Sequence, residues 1–538
     1  MRRAARVLAA LAASAGCGAP LAAALPPVPA PSEAERELLE ARFVLRAARV
    51  EGALSLPPEA VAAVTRDYEG HSVGAGDLRT LAARLTRLYA DRGYAASGVV
   101  LRSASPATGE AHFLAVEGPI DQVRFASPPR VADPAWLTGQ LVPDPLAPAR
   151  LDEIQARMAA LRDAGVVDRI NAVLEPLPGV GRSELVVSVE EPRPWSLRVD
   201  YDNYHSPVVG ARRPSLAFSH ANVTGWGDRA DLRVGRTDGL EDLSASWSGL
   251  VPRTQVVAGL RFERSDALAV DPPSFRSLEI KTVSETRGLD LGWQFATPAS
   301  RVVQARVAFE RRSSETTLLG LPFSFVAGLP DGRAEADVAR ASLVETERGE
   351  SDVRFLRVQA SRGRVTSALE DLPEAPADPF ASWFLQAQYA RRIAGGGAQL
   401  LLRLEGQYTR DRLLPIERYS LGGHATVRGY RENVVLRDRG ALASVELRAP
   451  LARLGEAVRL EGAVFGDASW SENVGRLPDA LPATLASAGV SLVATGPWGL
   501  SARLDVAYPS RRWLTENADL QDRGIQFLVS WRADRLLP

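Results

Sequence analysis

The chain has 538 residues, with 64 basic and 65 acidic side chains and a formal charge of −1 at pH 7. Its length exceeds one ordinary core and calls for two or three folded units. The charge balance removes the electrostatic footprint of a nucleic-acid binder, and a lone cysteine, Cys17, excludes a disulfide framework and Cys-ligated zinc.

Arg2, Arg3 and Arg6 precede an apolar run and then small residues, the layout of a secretory signal peptide over 1–24. Ala22 and Ala24 suit its cleavage rule, so the mature chain is expected to begin near Leu25. Cys17 lies inside this segment, and Ser14 is a poor residue where a lipoprotein signal carries leucine. Residues 25–42 form an N-terminal segment, in which the spacer PPVPAPS leads into a short helix over 33–42. After residue 30 the sequence never reaches the run of about 18 apolar residues that a transmembrane helix needs. Export without such helices leaves the periplasm, the exterior or an outer-membrane β-barrel.

From Phe43 an α+β pattern begins. FVLRAARVEG (43–52) reads as a strand, and Pro57 and Pro58 open a helix running to Tyr68. A second helix starts with Asp77 as N-cap and sets Leu78, Leu81, Leu85 and Leu88 on one stripe. Strands follow near 95–101 and 111–117. The same order then repeats: IDQVRF (120–125) as strand, DPAWLTGQL (133–141) and ARLDEIQARMAALRDAG (149–165) as helices, and strands near 168–177 and 183–190. Two consecutive strand–helix–helix–strand–strand modules, 43–117 and 118–193, are expected.

The texture changes over 194–538. SLRVDYDNY sets Leu197, Val199 and Tyr201 against Arg198, Asp200 and Asp202, and RADLRVGR, SVELRAP, RLDVAYP and GIQFLVSWR alternate likewise. A soluble sandwich would alternate too. The segments, however, run on without a helical period, and at about 10 residues per membrane strand plus loops the length suits roughly 16 strands. An arginine facing lipid at mid-bilayer would cost about 2–4 kcal/mol, so the polar partners are expected to face a wet lumen. A closed barrel also leaves no unpaired edge in lipid. The longest irregular stretches are expected at 312–350 and 364–380.

Several motifs are candidates for chemistry. GHSVG (70–74) fits the G-x-S-x-G pattern around Ser72, but a helix precedes it and the stretch reads as a linker between two helices. LPGVGRSE (177–184) leads into a strand and lacks the context of a nucleotide loop. His71, His112, His205, His220 and His424 show no metal-ligand spacing, and the carboxylates Glu190 and Glu191 read as solvated. No metal, cofactor, nucleotide or nucleic acid is called for. VRGY (427–430) in the glycine-rich stretch GGHATVRGYREN admits three readings. It is a phosphate loop, though without a following helix N-terminus, an arginine on an exposed turn, or a loop folded into the lumen. A carboxylate candidate lies in EGAVFGDASW (461–470), where Asp467 and Phe465 share one parity, so an inward Asp467 carries the Phe465 ring inward as well.

Together these features resemble the outer-membrane transporters of two-partner secretion, the haemolysin secretion/activation family of the superfamily carrying polypeptide-transport-associated (POTRA) domains. The resemblance rests on LGGHATVRGYREN (421–433), RDRGALASVELRAP (437–450), FGDAS (465–469), residues 67–94 and ANVTGWGDRADLRV (221–234). It implies two periplasmic POTRA modules ahead of an outer-membrane barrel, and a lid loop of Val427, Arg428, Gly429 and Tyr430. It further implies that Arg428 pairs inside the lumen with Asp467 of the strand motif that begins at Phe465. Ser469 stands where that motif usually has glycine. The implied function is export of one large secreted partner, captured unfolded by the modules, with outer-membrane lipid as surroundings and no enzymatic activity. The other readings are a factor assembling barrel proteins, a passive porin or receptor, and an esterase built on Ser72.

Overall fold

The structure is a computed structural model. It describes residues 42–535 apart from 95, 179–180, 252–253, 255, 296–299, 394–396, 456, 476–480 and 513–517. The expected signal peptide, the N-terminal segment up to residue 41 and the helix read there lie outside the described residues. The chain divides into two compact units, Met1–Gly118 and Pro119–Pro538.

In the first unit the stretch read as one strand divides into β1 (Phe43–Val44) and β2 (Ala47–Glu51). The cause is a change of ladder. β1 pairs with β3 (Ser72–Val73), the Leu45 amide donates to the His71 carbonyl at 3.0 Å, and β2 then runs parallel to β5 (Glu110–Val116). With β4 (Gly98–Ser105) the sheet order is β2–β5–β4. Helices α1 (Pro58–Arg66) and α2 (Ala75–Ala90) cover it. α2 begins three residues earlier than the N-cap reading of Asp77 implied. Gly74 is the cap, and Asp77, in the first turn, accepts the Gly74 amide at 2.9 Å, which satisfies a donor that the helix itself leaves open. Leu78, Leu81 and Leu85 are buried against Tyr89 and Phe113, while Leu88 packs at the margin. The linker reading of GHSVG gains a two-residue strand, and Ser72 is exposed there.

The second unit opens with β6 (Ile120–Phe125), α3 (Pro134–Leu141), α4 (Leu151–Asp163), β7 (Arg169–Pro176) and β8 (Ser183–Glu190), with β6 parallel to β8. Asp133 caps α3 by accepting the Trp136 amide at 2.7 Å. Glu191 is not merely solvated. Its carboxylate accepts the amides of Arg130, Val131 and Ala132, at 2.6, 3.1 and 2.7 Å. The module is seated on the first barrel turn: Asp133 donates its amide to Gly225 at 2.9 Å, and the Trp136 ring fills the space a side chain at Gly227 would need.

The barrel then closes from β9 (Trp195–Asp202) to β24 (Ile525–Arg532). The ring has seventeen hydrogen-bonded members, of which Leu321–Pro322 is a two-residue spur, leaving sixteen spanning strands numbered here β9 to β24 in chain order. Alternation sorts the faces: Val199 and Tyr201 point outward, whereas Asp200 and Asp202 are buried inward. The irregular stretch expected at 312–350 is instead largely strand, with β15 spanning Arg301–Leu318 and β16 spanning Arg333–Arg348. Arg311, Ser313 and Glu315 of β15 face Asp337, Glu335 and Arg333 of β16, so the outward face there is polar. Beyond the apolar band a strand has no lipid to meet and the hydropathy signal vanishes while the ladder continues.

Candidate functional site

The connection between β19 (Gln399–Thr409) and β20 (Arg439–Leu454) turns back into the barrel. Its two limbs pair as a short ladder, Tyr419–Leu421 against Val435–Arg437. Apolar residues hold the ladder and tip to the wall: Val427 and Tyr430 are buried with Leu442 of β20 and Leu485 of β22 (Thr484–Thr495). This segment, the lid loop of the sequence reading, is packed by its own side chains.

Arg428 is 5% exposed, and Asp467 and Glu446, which flank it, are 3% and 8% exposed. Its Nε and Nη2 donate to the two Asp467 oxygens at 2.8 and 2.9 Å, and its backbone amide adds a third bond to Asp467 at 3.1 Å. This is the fork-on-carboxylate geometry that only arginine offers. Nη1 donates to Glu446 at 2.6 Å, and Ser444 donates its hydroxyl to Asp467 at 2.6 Å. The guanidinium carbon lies 3.4 Å above the centroid of the Phe465 ring, so that ring faces inward with Asp467 and adds a cation–π contact. β21 (Val458–Glu472) pairs with β20 so that Asp467 stands opposite Ser444 and Phe465 opposite Glu446. Ser469 also faces inward, its hydroxyl without a hydrogen-bond partner among the described residues.

The second carboxylate would leave excess negative charge, and neighbouring arginines balance it. Arg448 reaches Glu446 at 2.7 Å, and Arg503 reaches Glu446 at 3.6 Å and Asp505 at 2.8 Å. Three arginines (428, 448, 503) thus meet three acids (446, 467, 505). Such a network is stable only when every member is satisfied, which ties the position of the lid to the wall.

Gly429 takes φ +89°, and a Cβ there would lie 2.8 Å from the Cβ of Ala507 on β23 (Leu500–Pro509). Only glycine passes this close to the wall at that backbone angle. Gly429→Val is therefore expected to displace the lid tip and widen the conductance distribution in planar bilayers. A trace matching the parent would contradict this packing. Beyond Gly429, Tyr430 donates its hydroxyl to the Ala486 carbonyl at 3.0 Å, and Arg431 binds Asp522 at 2.7 Å and Asp271 at 2.9 Å. Gln526 of β24 accepts the Gly429 amide at 3.4 Å and donates to the Tyr430 carbonyl at 3.3 Å. Glu432 accepts the His424 amide, and the His424 ring stacks on Tyr204 at 3.7 Å between centroids.

The lid has a second tether that no motif announced. Glu417, at the start of the loop, accepts from Arg312 at 2.6 Å and from Arg340 at 2.8 Å. Arg340 continues to Glu310 at 3.0 Å, and Arg261 pairs with Glu310 from the other side. This chain of charges ties the base of the loop to the wall at β15 and β16, so the loop is held at base and tip.

The other readings of VRGY do not match this geometry: Arg428 is neither exposed nor free to meet phosphate. At Ser72, no histidine or carboxylate hydrogen-bonds the hydroxyl among the described residues.

Comparison with known proteins agrees with this architecture. Residues 181–492 match the family model described as haemolysin secretion/activation protein ShlB/FhaC/HecB, and residues 43–118 match the POTRA domain of ShlB type. The heme/hemopexin transporter protein HuxB of Haemophilus influenzae (strain 86-028NP) is 23% identical over 205 residues. That match takes in 36% of this chain and 34% of HuxB, about a third of the curated relative's length. Among solved structures, CdiB from Escherichia coli shares the fold with a TM-score of 0.69 at 19% identity, covering 95% of this chain and 93% of that one. CdiB from Acinetobacter baumannii gives 0.65 at 14% identity, covering 91% and 90%. BamA from Haemophilus ducreyi lacking POTRA domains 1–3 gives 0.52 at 14% identity, covering 91% and 100%. The barrel is an outer-membrane barrel, its POTRA region is periplasmic, and the lid enters the lumen from the outer side. The matched region exceeds half of the chain, and the protein belongs to the haemolysin secretion/activation (ShlB/FhaC/HecB) family.

Proposed function

We propose that this chain is a two-partner secretion transporter that exports one large exoprotein across the outer membrane. The observation that carries the reading is the lid: a loop inside a barrel whose wall is lined with polar side chains, anchored there by the ion pairs of Arg428 with Asp467 and Glu446. A structural barrel needs no removable plug, whereas a polypeptide conduit needs one that holds at rest and yields to substrate. The POTRA modules supply capture. Each three-stranded sheet leaves two edges, β2 and β4 in the first and β6 and β7 in the second. Val100 on β4 and Val173 on β7 are exposed apolar residues beside those edges. An unfolded chain would add a strand there through main-chain hydrogen bonds, with side-chain pockets setting preference.

The chain carries the transporter fold of its family, and we assign it no catalytic step. Energy for transit is proposed to come from folding of the partner outside. The test is co-expression with a large candidate exoprotein encoded in the same genome. Transporter-dependent appearance of that protein in the medium is expected, and equal export in cells lacking the transporter would refute the reading. Assembly of other barrel proteins is the second reading, favoured by the shared fold with BamA. It predicts loss of unrelated outer-membrane barrels on depletion, whereas export of one partner predicts none.

A further inference from the structure

The outward face of the barrel carries a depression of about 1160 Å³ over strands β12 (Leu240–Leu250) to β17. Its floor is apolar: Trp247, Leu260, Phe262, Leu289 and Phe309. Its rim is cationic: Arg287, Arg311, Arg362 and Arg364. The register shows why the two meet. Leu260 on β13 (Val256–Leu268) opposes Leu289 on β14 (Lys281–Phe295), which opposes Phe309, then Ala339, then Arg362 on β17 (Asp352–Val365). One rung toward the outside, Phe262 is followed by Arg287, Arg311, Asp337 and Arg364. The outward apolar run of β14, through Trp293, Leu291 and Leu289, ends at Arg287, and that of β15, through Val307 and Phe309, ends at Arg311. The arginines therefore stand at the outer margin of the lipid band, where a cation is tolerated.

Local acids satisfy only part of this rim. Arg287 pairs with Glu285 at 3.0 Å, and Arg311 lies 3.9 Å from Asp337. Arg362 and Arg364 are exposed and make no ion pair among the described residues. Further outward, a polar shelf of about 670 Å³ shares Arg287 and Arg311 and adds Lys281, Arg333 and Glu335. Apolar floor, arginine rim and polar shelf follow one another along the membrane normal.

We propose that this face is a binding site for a phosphorylated glycolipid of the outer leaflet, with acyl chains on the Trp247–Phe309 floor, phosphate on Arg362 and Arg364, and sugar on the shelf. The charge complementarity selects the occupant. A neutral lipid leaves the two arginines unpaired, a free anion leaves the apolar floor uncovered, and a protein partner would have to displace lipid from the whole band. Arginine also suits phosphate through its fork of donors.

The test uses the full chain, purified in non-ionic detergent and stripped of lipid. Its binding of a bis-phosphorylated acyl glucosamine disaccharide (lipid A) is titrated by native mass spectrometry. Saturable binding is expected, weakened by at least about tenfold in the double variant R362Q/R364Q, since each substitution removes a charged hydrogen-bonding partner. R354Q, on the same strand at its periplasmic end, is expected to bind as the parent does. Loss of both phosphates from the lipid should weaken binding as the double variant does, and inorganic phosphate should not displace the lipid. Both substituted residues are exposed and outward, and retained heat-modifiable migration of the barrel shows that the variant is folded. Should single R362Q and R364Q show no weakening either, or should the double variant or the dephosphorylated lipid bind like the originals, the site is not one for lipid phosphate. Full displacement by inorganic phosphate would make it an anion site and overturn the lipid assignment.

Discussion

Arg428→Ala is expected to loosen the lid, raise the frequency of open-channel events in planar bilayers, and impair export of the partner. Truncating one member of a buried ion pair costs about 3–5 kcal/mol, mainly because the opposing charge is left unpaired. Here two buried acids, Asp467 and Glu446, would lose their shared cation. Even half of that cost in a water-filled lumen would shift the lid equilibrium by more than about tenfold. Asp467→Asn should act in the same direction but less, because it keeps one acceptor for the fork. Phe465→Leu removes the ring under the guanidinium and should cost about 2 kcal/mol or less. Arg354, exposed on the outward face at the periplasmic end, serves as the control. If Arg428→Ala matched the parent in both conductance and export, the lid-anchor role would be lost.

Deleting residues 43–192 is expected to reduce export to background while the barrel still inserts. The sixteen strands close on themselves, β24 pairing with β9 from Asp202↔Leu528 to Arg198↔Arg532, so the ring owes no ladder to the modules. What the deletion removes is the proposed capture surface: both sheets with open edges, and the contact of Trp136 with the turn at Gly227. Heat-modifiable migration and surface labelling report insertion, and exoprotein in the medium reports export. Export that persists without the modules would sink the capture model.

Much of this architecture was legible because membrane and core burial write simple periods into sequence. Leu78, Leu81 and Leu85 sit on one helical stripe because one face of α2 meets a sheet. Leu197, Val199 and Tyr201 alternate with charge because one side of β9 meets lipid and the other water. Parity alone also carried Phe465 inward with Asp467. Glu446 and Ser444 lay within the same reach, since SVELRAP puts both on one parity. What no period supplies is the register of β20 on β21, and it is register that sets Ser444 opposite Asp467. Glu417 was invisible for a stronger reason: its partners, Arg312 and Arg340, lie 105 and 77 residues away and meet it only when the barrel has closed. The polar strand ends over 312–350 read as irregular in the sequence because water on both faces erases alternation. The Asp77 cap shifted because an acid in the first helical turn and one just before it look alike in a sequence.

The central claim of the proposed function is that an unfolded partner passes through this lumen once the lid yields. Gln359 and Val358 are neighbours on β17 that face opposite ways, Gln359 lining an inner cavity of about 290 Å³ with Arg340 and Val358 pointing outward. The only native cysteine is Cys17, within the expected signal peptide, so a single introduced thiol reports one position. With a partner stalled in transit by a folded C-terminal fusion, Gln359→Cys is expected to crosslink to cysteines placed along the partner, and Val358→Cys is not. Equal crosslinking from the two positions, or none from Gln359→Cys while export is stalled, would contradict passage through the lumen.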